Sequence, residues 1–236
     1  EFRRVLFRSV ASVAEKLPGS DETHLDAISP VPLERWDVMS QEGKELQACF
    51  GAFVHDAAFF DPTLFHMSPA EATLMDPQQR LILDVFAESV SALPSIPQHS
   101  GVYVGVSQLE YARLTLEQKF NLNAYYATGA HLSVTSGRVA YLFGFTGPAM
   151  TVDTACSSSL VTTHLAAKAL EEGEIQMASS MGVNLTLVPS WTRACQRAGM
   201  LSMDGRCKTL DAEADGYVRA EAACAVVLVP ETELTD

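Results

Sequence analysis

The chain has no run of Lys and Arg, and its 16 basic residues are outnumbered by 29 acidic ones, giving a formal charge of −13. Nucleic acid and anionic membrane surfaces both require a concentrated basic face, so neither is expected as a partner. No apolar stretch approaches the roughly 20 residues that span a bilayer, and the first residues lack the apolar core of a cleavable signal. The five cysteines, at positions 49, 156, 195, 207 and 224, form no CxxC pair and no His/Cys spacing suited to a metal. Their odd number argues against a disulfide framework, so a reducing compartment, cytoplasmic or plastid, is the expectation. Also missing are a Gly/Ser-rich linker, a low-complexity tract and a short internal repeat. What remains is 236 residues, 47% of them hydrophobic, which is enough for a sizeable core in one large domain or a piece of something larger.

The first nine residues, Glu1 to Ser9, read as adapter-derived rather than native and are set aside. Residues 10–50 are polar and turn-rich, broken by Leu17-Pro18-Gly19-Ser20 and Ile28-Ser29-Pro30-Val31-Pro32, so little regular structure is expected there. The body of the domain runs from 51 to 236. Ser68-Pro69-Ala70-Glu71 is a capping box, and Asp76-Pro77 opens a second helix with Leu81, Ile82, Val85 and Phe86 at helical spacing. Gly101 to Val106 has the near-continuous apolar character of a strand buried on both faces. After it the pattern predicts a helix over 132–145, a strand over 149–152, a helix over 156–170, a strand over 175–187, a short helix over 190–198 and a last strand over 223–229. Strand, helix, strand in that order predicts a parallel crossover, hence α/β architecture with a central sheet covered by helices.

One residue carries the chemistry. In Val152-Asp153-Thr154-Ala155-Cys156-Ser157-Ser158-Ser159-Leu160 a thiol sits where an apolar strand gives way to a helix. Open amides and the positive end of a helix dipole favour thiolate over thiol at such a place, although a small buried residue at a tight turn fits the spacing equally well. A cysteine nucleophile normally needs a base within hydrogen-bond reach. His164 follows Cys156 by eight residues on the same predicted helix, about 12 Å along its axis, too far for a direct partner. His24, His55, His66, His99 and His131 have no spacing that singles one out, though His131 precedes a helix in a Gly- and Thr-containing stretch.

Asp76-Pro77-Gln78-Gln79-Arg80, Val152 to Leu160, Gly182-Val183-Asn184, and Gly199-Met200-Leu201-Ser202 through Asp204-Gly205-Arg206-Cys207-Lys208-Thr209 to Asp215-Gly216-Tyr217 occur in this order. Together they resemble a β-ketoacyl synthase, more narrowly the ketosynthase domain of modular fatty acid or polyketide synthases, over nearly everything from Leu17 to Val229. The resemblance implies a thiolase-like layered α/β fold, mainly its N-terminal half, with a mixed sheet between helices. It implies an acyltransferase of the 3-oxoacyl-[acyl-carrier-protein] synthase type, with Cys156 as the catalytic acyl acceptor and the Cys156 backbone N–H as an oxyanion donor. No cofactor is bound directly; substrates arrive on the phosphopantetheine of an acyl carrier protein, and the full-length domain is expected to be a homodimer. The family also draws two histidines and a lysine from its second half, whose motifs do not occur before Asp236, so this polypeptide alone is expected not to condense. Half of a two-fold fold should also expose apolar faces and aggregate or remain molten when expressed alone.

The chain departs from the family pattern at Arg219-Ala220-Glu221-Ala222, where glycines usually flank the acid, and at Ser179-Ser180-Met181-Gly182, where a glycine-rich run is usual. Side chains at positions of positive φ or close approach would cost stability or narrow a channel. The first strand of the family is expected to be replaced by the adapter-like residues. Elsewhere, Asp76 to Arg80 reads as a helix start with an exposed cation, Asp153 as holding the turn through backbone hydrogen bonds, and Arg206 and Lys208 as solvated loop charge or a contact for an acidic carrier. Tyr125, Tyr126 and Thr128 are ordinary core or acyl-channel lining, and Cys49, Cys195, Cys207 and Cys224 are structural or incidental. Two other functions stay open: a non-elongating scaffold that binds acylated carrier protein, and a Cys-His hydrolase.

Overall fold

The computed structural model describes residues 10–16, 26–40, 43–91 and 93–230, the first of these segments by its backbone alone. Glu1 to Ser9 and the turn at Leu17 to Ser20 lie outside the described residues. In chain order, strands β1 (Val10–Lys16), β2 (Ile28–Pro30) and β3 (Phe50–Ala52) precede helices α1 (Pro69–Leu74) and α2 (Pro77–Ser91). Strand β4 (Ser100–Gly105) leads into helices α3 (Glu110–Glu117), α4 (Tyr125–Gly129) and α5 (Leu132–Phe143). Strand β5 (Ala149–Val152), helix α6 (Ser158–Glu171), strand β6 (Met177–Asn184), helix α7 (Pro189–Arg197) and strand β7 (Ala222–Leu228) complete the order.

Five strands form one mixed sheet in the order β1-β7-β6-β4-β5, and β2 pairs with β3 in a separate ribbon. β4 is parallel to both β5 and β6, so the β5–α6–β6 unit is the expected parallel crossover, and it passes over β4. β7 runs antiparallel to β6, and β1 antiparallel to β7. This corrects the expectation for residues 10–50: Val10–Lys16 is itself a strand, directly after the adapter-like residues, and the expected loss of a first strand to those residues does not hold. Polar Ser12, Glu15 and Lys16 hid it, because an edge strand needs only backbone pairing and not a continuous apolar run.

The alternation of side chains along β4 and β6 sorts the core into two layers. Val102, Val104, Met177, Met181 and Val183 face α2 and α5, where Leu81, Ile82, Val85 and Phe86 are almost fully buried. Tyr103 and Ala178 face α6, against Ala166, Ala169 and Leu170. The α6 face is otherwise small: Gly105, Ser180 and Gly182 let the helix lie close to the sheet. α5 ends two residues sooner than periodicity predicts, because Gly144 adopts φ 68° and caps it in the left-handed region. α3 and α4 were not legible as helices: α3 buries polar Glu110 and Thr115 while exposing Leu116, the reverse of an apolar inner stripe, and α4 is only five residues long.

Polar side chains tie the layers together. The Glu221 carboxylate is fully buried, takes both forks of the Arg35 guanidinium at 2.7 Å and accepts the amides of Val54 and Thr186. That explains how alanines stand on either side of it: Ala220 and Ala222 have ordinary negative φ, and the acid between them holds the N-terminal segment against β6 and β7. Ser179 and Ser180 likewise have no positive φ; the Ser180 hydroxyl meets Thr162 and Thr163 of α6 at 3.2 and 2.9 Å. At the start of α2, Asp76 accepts the Gln78 amide, and the Gln78 side chain accepts the Leu185 amide. Gln79 donates to the carbonyls around Gly129 while accepting from Arg138. The reading of Arg80 as an exposed cation is corrected: it is half-buried, donates to the Met75 carbonyl at 2.9 Å and lies over the Tyr111 ring.

Glu221→Gln would leave Arg35 as a buried, uncompensated cation, so urea unfolding of the full-length domain is expected to show a loss of about 3–5 kcal/mol. Burial pushes the Asp76 carboxyl up to about 7, outweighing the lowering by Gln78 and Arg80. The folded chain then holds this proton more tightly than the unfolded chain, whose value is 3.8, so the group's contribution to stability declines as pH rises from about 4 to about 7. Asp76→Asn is expected to flatten that part of the pH–stability curve, as measured by urea midpoints at several pH values.

Candidate active site

β5 delivers the chain to the end of the sheet beside β4, with Val152 opposite Gly105. Asp153 then turns it: its Oδ1 accepts the Ala155 amide at 3.0 Å, the backbone role expected of it. Ala155 sits at φ 55°, in the left-handed region that costs a non-glycine residue roughly 1–2 kcal/mol. Residues Ala155–Ser157 form a single 3₁₀ turn and α6 begins at Ser158, so Cys156 lies just before the helix and not within its first α-turn. Its side chain is exposed.

Hydroxyl groups hold this strained corner. Ser158 is buried, and its Oγ accepts the Thr154 amide at 2.9 Å and donates to the Ala155 carbonyl at 2.6 Å. Ser107, just after β4, donates to the same carbonyl at 3.3 Å, and Ser157 donates to the Thr154 carbonyl at 2.8 Å. Beneath the corner the backbone of α6 rests on glycine. A Cβ on Gly105 would stand 2.6 Å from the Ser159 nitrogen, and one on Gly182 would stand 2.9 Å from the Ser159 Cβ.

No histidine hydrogen-bonds Cys156 among the described residues. His164 is exposed on α6, His131 precedes α5 without capping it, and His99 meets Thr146 at 3.1 Å. His55 and His66 lie in turns before α1, and His24 is outside the described residues. Burial raises the Tyr217 pKa, and the neighbouring Cys195 adds to the rise. Cys195 is buried, as a structural cysteine would be. A bridge between Leu201 and Tyr217 fixes this neighbourhood, and Gly216 at φ 146° lies too close to the Leu201 and Ser202 backbone to carry a side chain.

A pocket of about 290 Å³ opens between the β4–α3 connection and α7, lined by Leu109, Glu110, Val188 and Trp191 among others. Tyr125, Tyr126 and Thr128 do not line it; the Tyr126 hydroxyl donates to the Ala112 carbonyl and Thr128 to Tyr125. Arg206 pairs with Asp26 at 2.8 Å, and Lys208 with Asp204 and Asp215 at 2.8 and 3.0 Å, so this loop charge is internally neutralised. No helix among the described residues is long and apolar enough to cross a membrane.

An exposed cysteine on a strained strand-to-helix corner of a mixed sheet defines a thiol-centred α/β domain. The chain belongs to the β-ketoacyl synthase family: the family model for the N-terminal domain matches residues 22–233. It is 44% identical over 203 residues to the polyketide synthase GfsB of Streptomyces halstedii, an alignment covering 81% of this chain and 4% of that protein. The ketosynthase from module 6 of the bacillaene synthase of Bacillus subtilis 168 superposes with a TM-score of 0.81 at 34% identity, over 94% of this chain and 40% of that one. The Streptomyces albus oxazolomycin ketosynthase domain OzmH KS7 gives 0.83 at 31% identity, over 95% and 42%. The chain is therefore ketosynthase sequence of the polyketide synthase kind, and it spans less than half of each of these relatives.

Gly105→Ala would push the α6 terminus off the sheet, because the obstructing atoms are backbone. We expect a loss of about 1–3 kcal/mol in urea unfolding of the full-length domain and at least a tenfold change in the rate at which iodoacetamide alkylates Cys156, followed by intact mass.

Proposed function

We propose that Cys156 accepts an acyl chain from a phosphopantetheine thioester, and that the whole protein condenses this chain with a malonyl-type extender in polyketide or fatty acid biosynthesis. The observation that carries the reading is the exposed thiol on an over-determined corner, in a chain that belongs to the ketosynthase family. In the first step the thiolate adds to the thioester carbonyl, the carbonyl oxygen gathers negative charge, and collapse expels the pantetheine thiolate, which takes a proton from water. In the second, loss of CO₂ from the malonyl-type thioester leaves a carbanion that attacks the Cys156 thioester and returns the sulfur as thiolate. The Cys156 amide, which has no acceptor among the described residues, is the oxyanion donor available from this chain.

The pocket beside Trp191 is where we place the acyl tail, against its apolar lining of Leu109, Val188, Trp191 and Ala194; Gln108, Glu110, Arg113 and Ser190 make up the rest of the wall. Acyl carrier protein is the proposed donor partner. A second copy is proposed against β5, an edge strand of the sheet whose Met150 is 39% exposed, close to Tyr141 of α5 at 85%. The scaffold and hydrolase alternatives gain no support: the residues replacing the family's glycines are accommodated, and no histidine among the described residues bonds the thiol.

The test is incubation with an acyl-pantetheine followed by peptide mass mapping. One acyl group is expected on the peptide containing Cys156 and none on the Cys156→Ala variant; labelling that persists in that variant would refute the assignment.

A further inference from the structure

We propose that Ser158 is a positioning residue that aims the Cys156 amide at the thioester oxygen, an assignment resting on Cys156 being the acyl acceptor. The Ala155 carbonyl and the Cys156 N–H belong to one peptide plane, and in a trans peptide they point in opposite directions. Whatever fixes the carbonyl therefore fixes the N–H. The Ala155 carbonyl accepts the Ser158 hydroxyl at 2.6 Å, the Ser107 hydroxyl at 3.3 Å and the Ser158 amide, so it is held inward from three directions. The same Ser158 oxygen accepts the Thr154 amide at 2.9 Å, gripping the chain on both sides of Ala155.

That grip opposes a real tendency. At φ 55° Ala155 is in a region an alanine leaves when nothing restrains it, and leaving rotates the carbonyl outward and the Cys156 amide inward. Ser158 itself is 5% exposed and lies under the turn, so it acts through the peptide above it and not on the substrate. The arrangement divides two properties of Cys156. Access to the sulfur depends on the whole corner, whereas the direction of the amide depends on this one hydroxyl.

The test compares two reactions of Cys156 in the full-length ketosynthase domain, each followed by intact mass. Acylation by an acyl-pantetheine passes through an oxyanion; alkylation by iodoacetamide displaces iodide at carbon and forms none. Since loss of an oxyanion donor lowers rates by about 100-fold or more, misdirecting it in Ser158→Ala is expected to slow saturating acylation by about 30-fold. The thioester concentration for half-saturation and the alkylation rate should each stay within about threefold of the parent chain. Glycine holds positive φ without a penalty, so adding Ala155→Gly to Ser158→Ala should restore acylation by about fivefold or more. Ser107→Ala, which removes only the longer bond, should slow acylation by about threefold and serves as the milder variant if Ser158→Ala unfolds. Unchanged acylation in Ser158→Ala, an equal loss in both reactions, or no recovery with Ala155→Gly overturns the assignment. Absence of Cys156 acylation in the parent chain instead refutes the reading of Cys156 itself, and the positioning role falls with it.

Discussion

The first turn of α6 sits on Gly105 and Gly182 with no room for a methyl group between helix and sheet, and the geometry of Cys156 follows from that contact. A helix held this low must be entered through a sharp corner, and the strand before it ends only six residues before α6 begins. Left-handed backbone at Ala155 is how the chain makes the corner. The strain is tolerable because Asp153, Ser107 and Ser158 bind the polar groups around it, leaving the thiol and one amide facing outward.

Around this corner the fold relies on buried polar groups more than a sheet-and-helix core strictly requires. Glu221 satisfies a guanidinium and two amides from three different segments, and the Gln78–Gln79 pair does similar work between α2, the start of α5 and the end of β6. Such groups specify one arrangement: a shifted register would bury them unpaired, at a cost greater than the loss of an apolar contact. Their common effect is to hold the segments after β4 and β6, which both border the pocket, and the first of which also reaches the corner at Ala155 through Ser107.

Much of this was legible in the sequence, for reasons that differ by element. β4, β6 and β7 are buried, and their apolar runs announced them; α2 was announced by its spacing of Leu81, Ile82, Val85 and Phe86. Cys156 was legible because a thiol between an apolar strand and a small-residue helix start is chemically distinctive. β1 was not, since half its character comes from pairing with β7 at the far end of the chain. Arg80 read as surface because its acceptors are backbone carbonyls, which leave no mark in sequence. The bridge between Leu201 and Tyr217 joins backbone segments that share no pattern in the sequence, and only the folded loop shows it.

The pairing of β1 with β7 has a consequence for how the chain assembles. Val10 meets Leu228, and Arg35 meets Glu221, so the outer edge of the sheet and its buried ion pair both close only after Glu221 to Leu228 have left the ribosome. At ordinary elongation speeds of about 5–20 residues per second, the N-terminal strand waits on the order of 10–40 s without its partner. β6, which emerges later, presents open backbone for about 2–9 s at the same speeds before β7 covers it, making the nascent chain a natural client for a chaperone that shields unpaired strand edges.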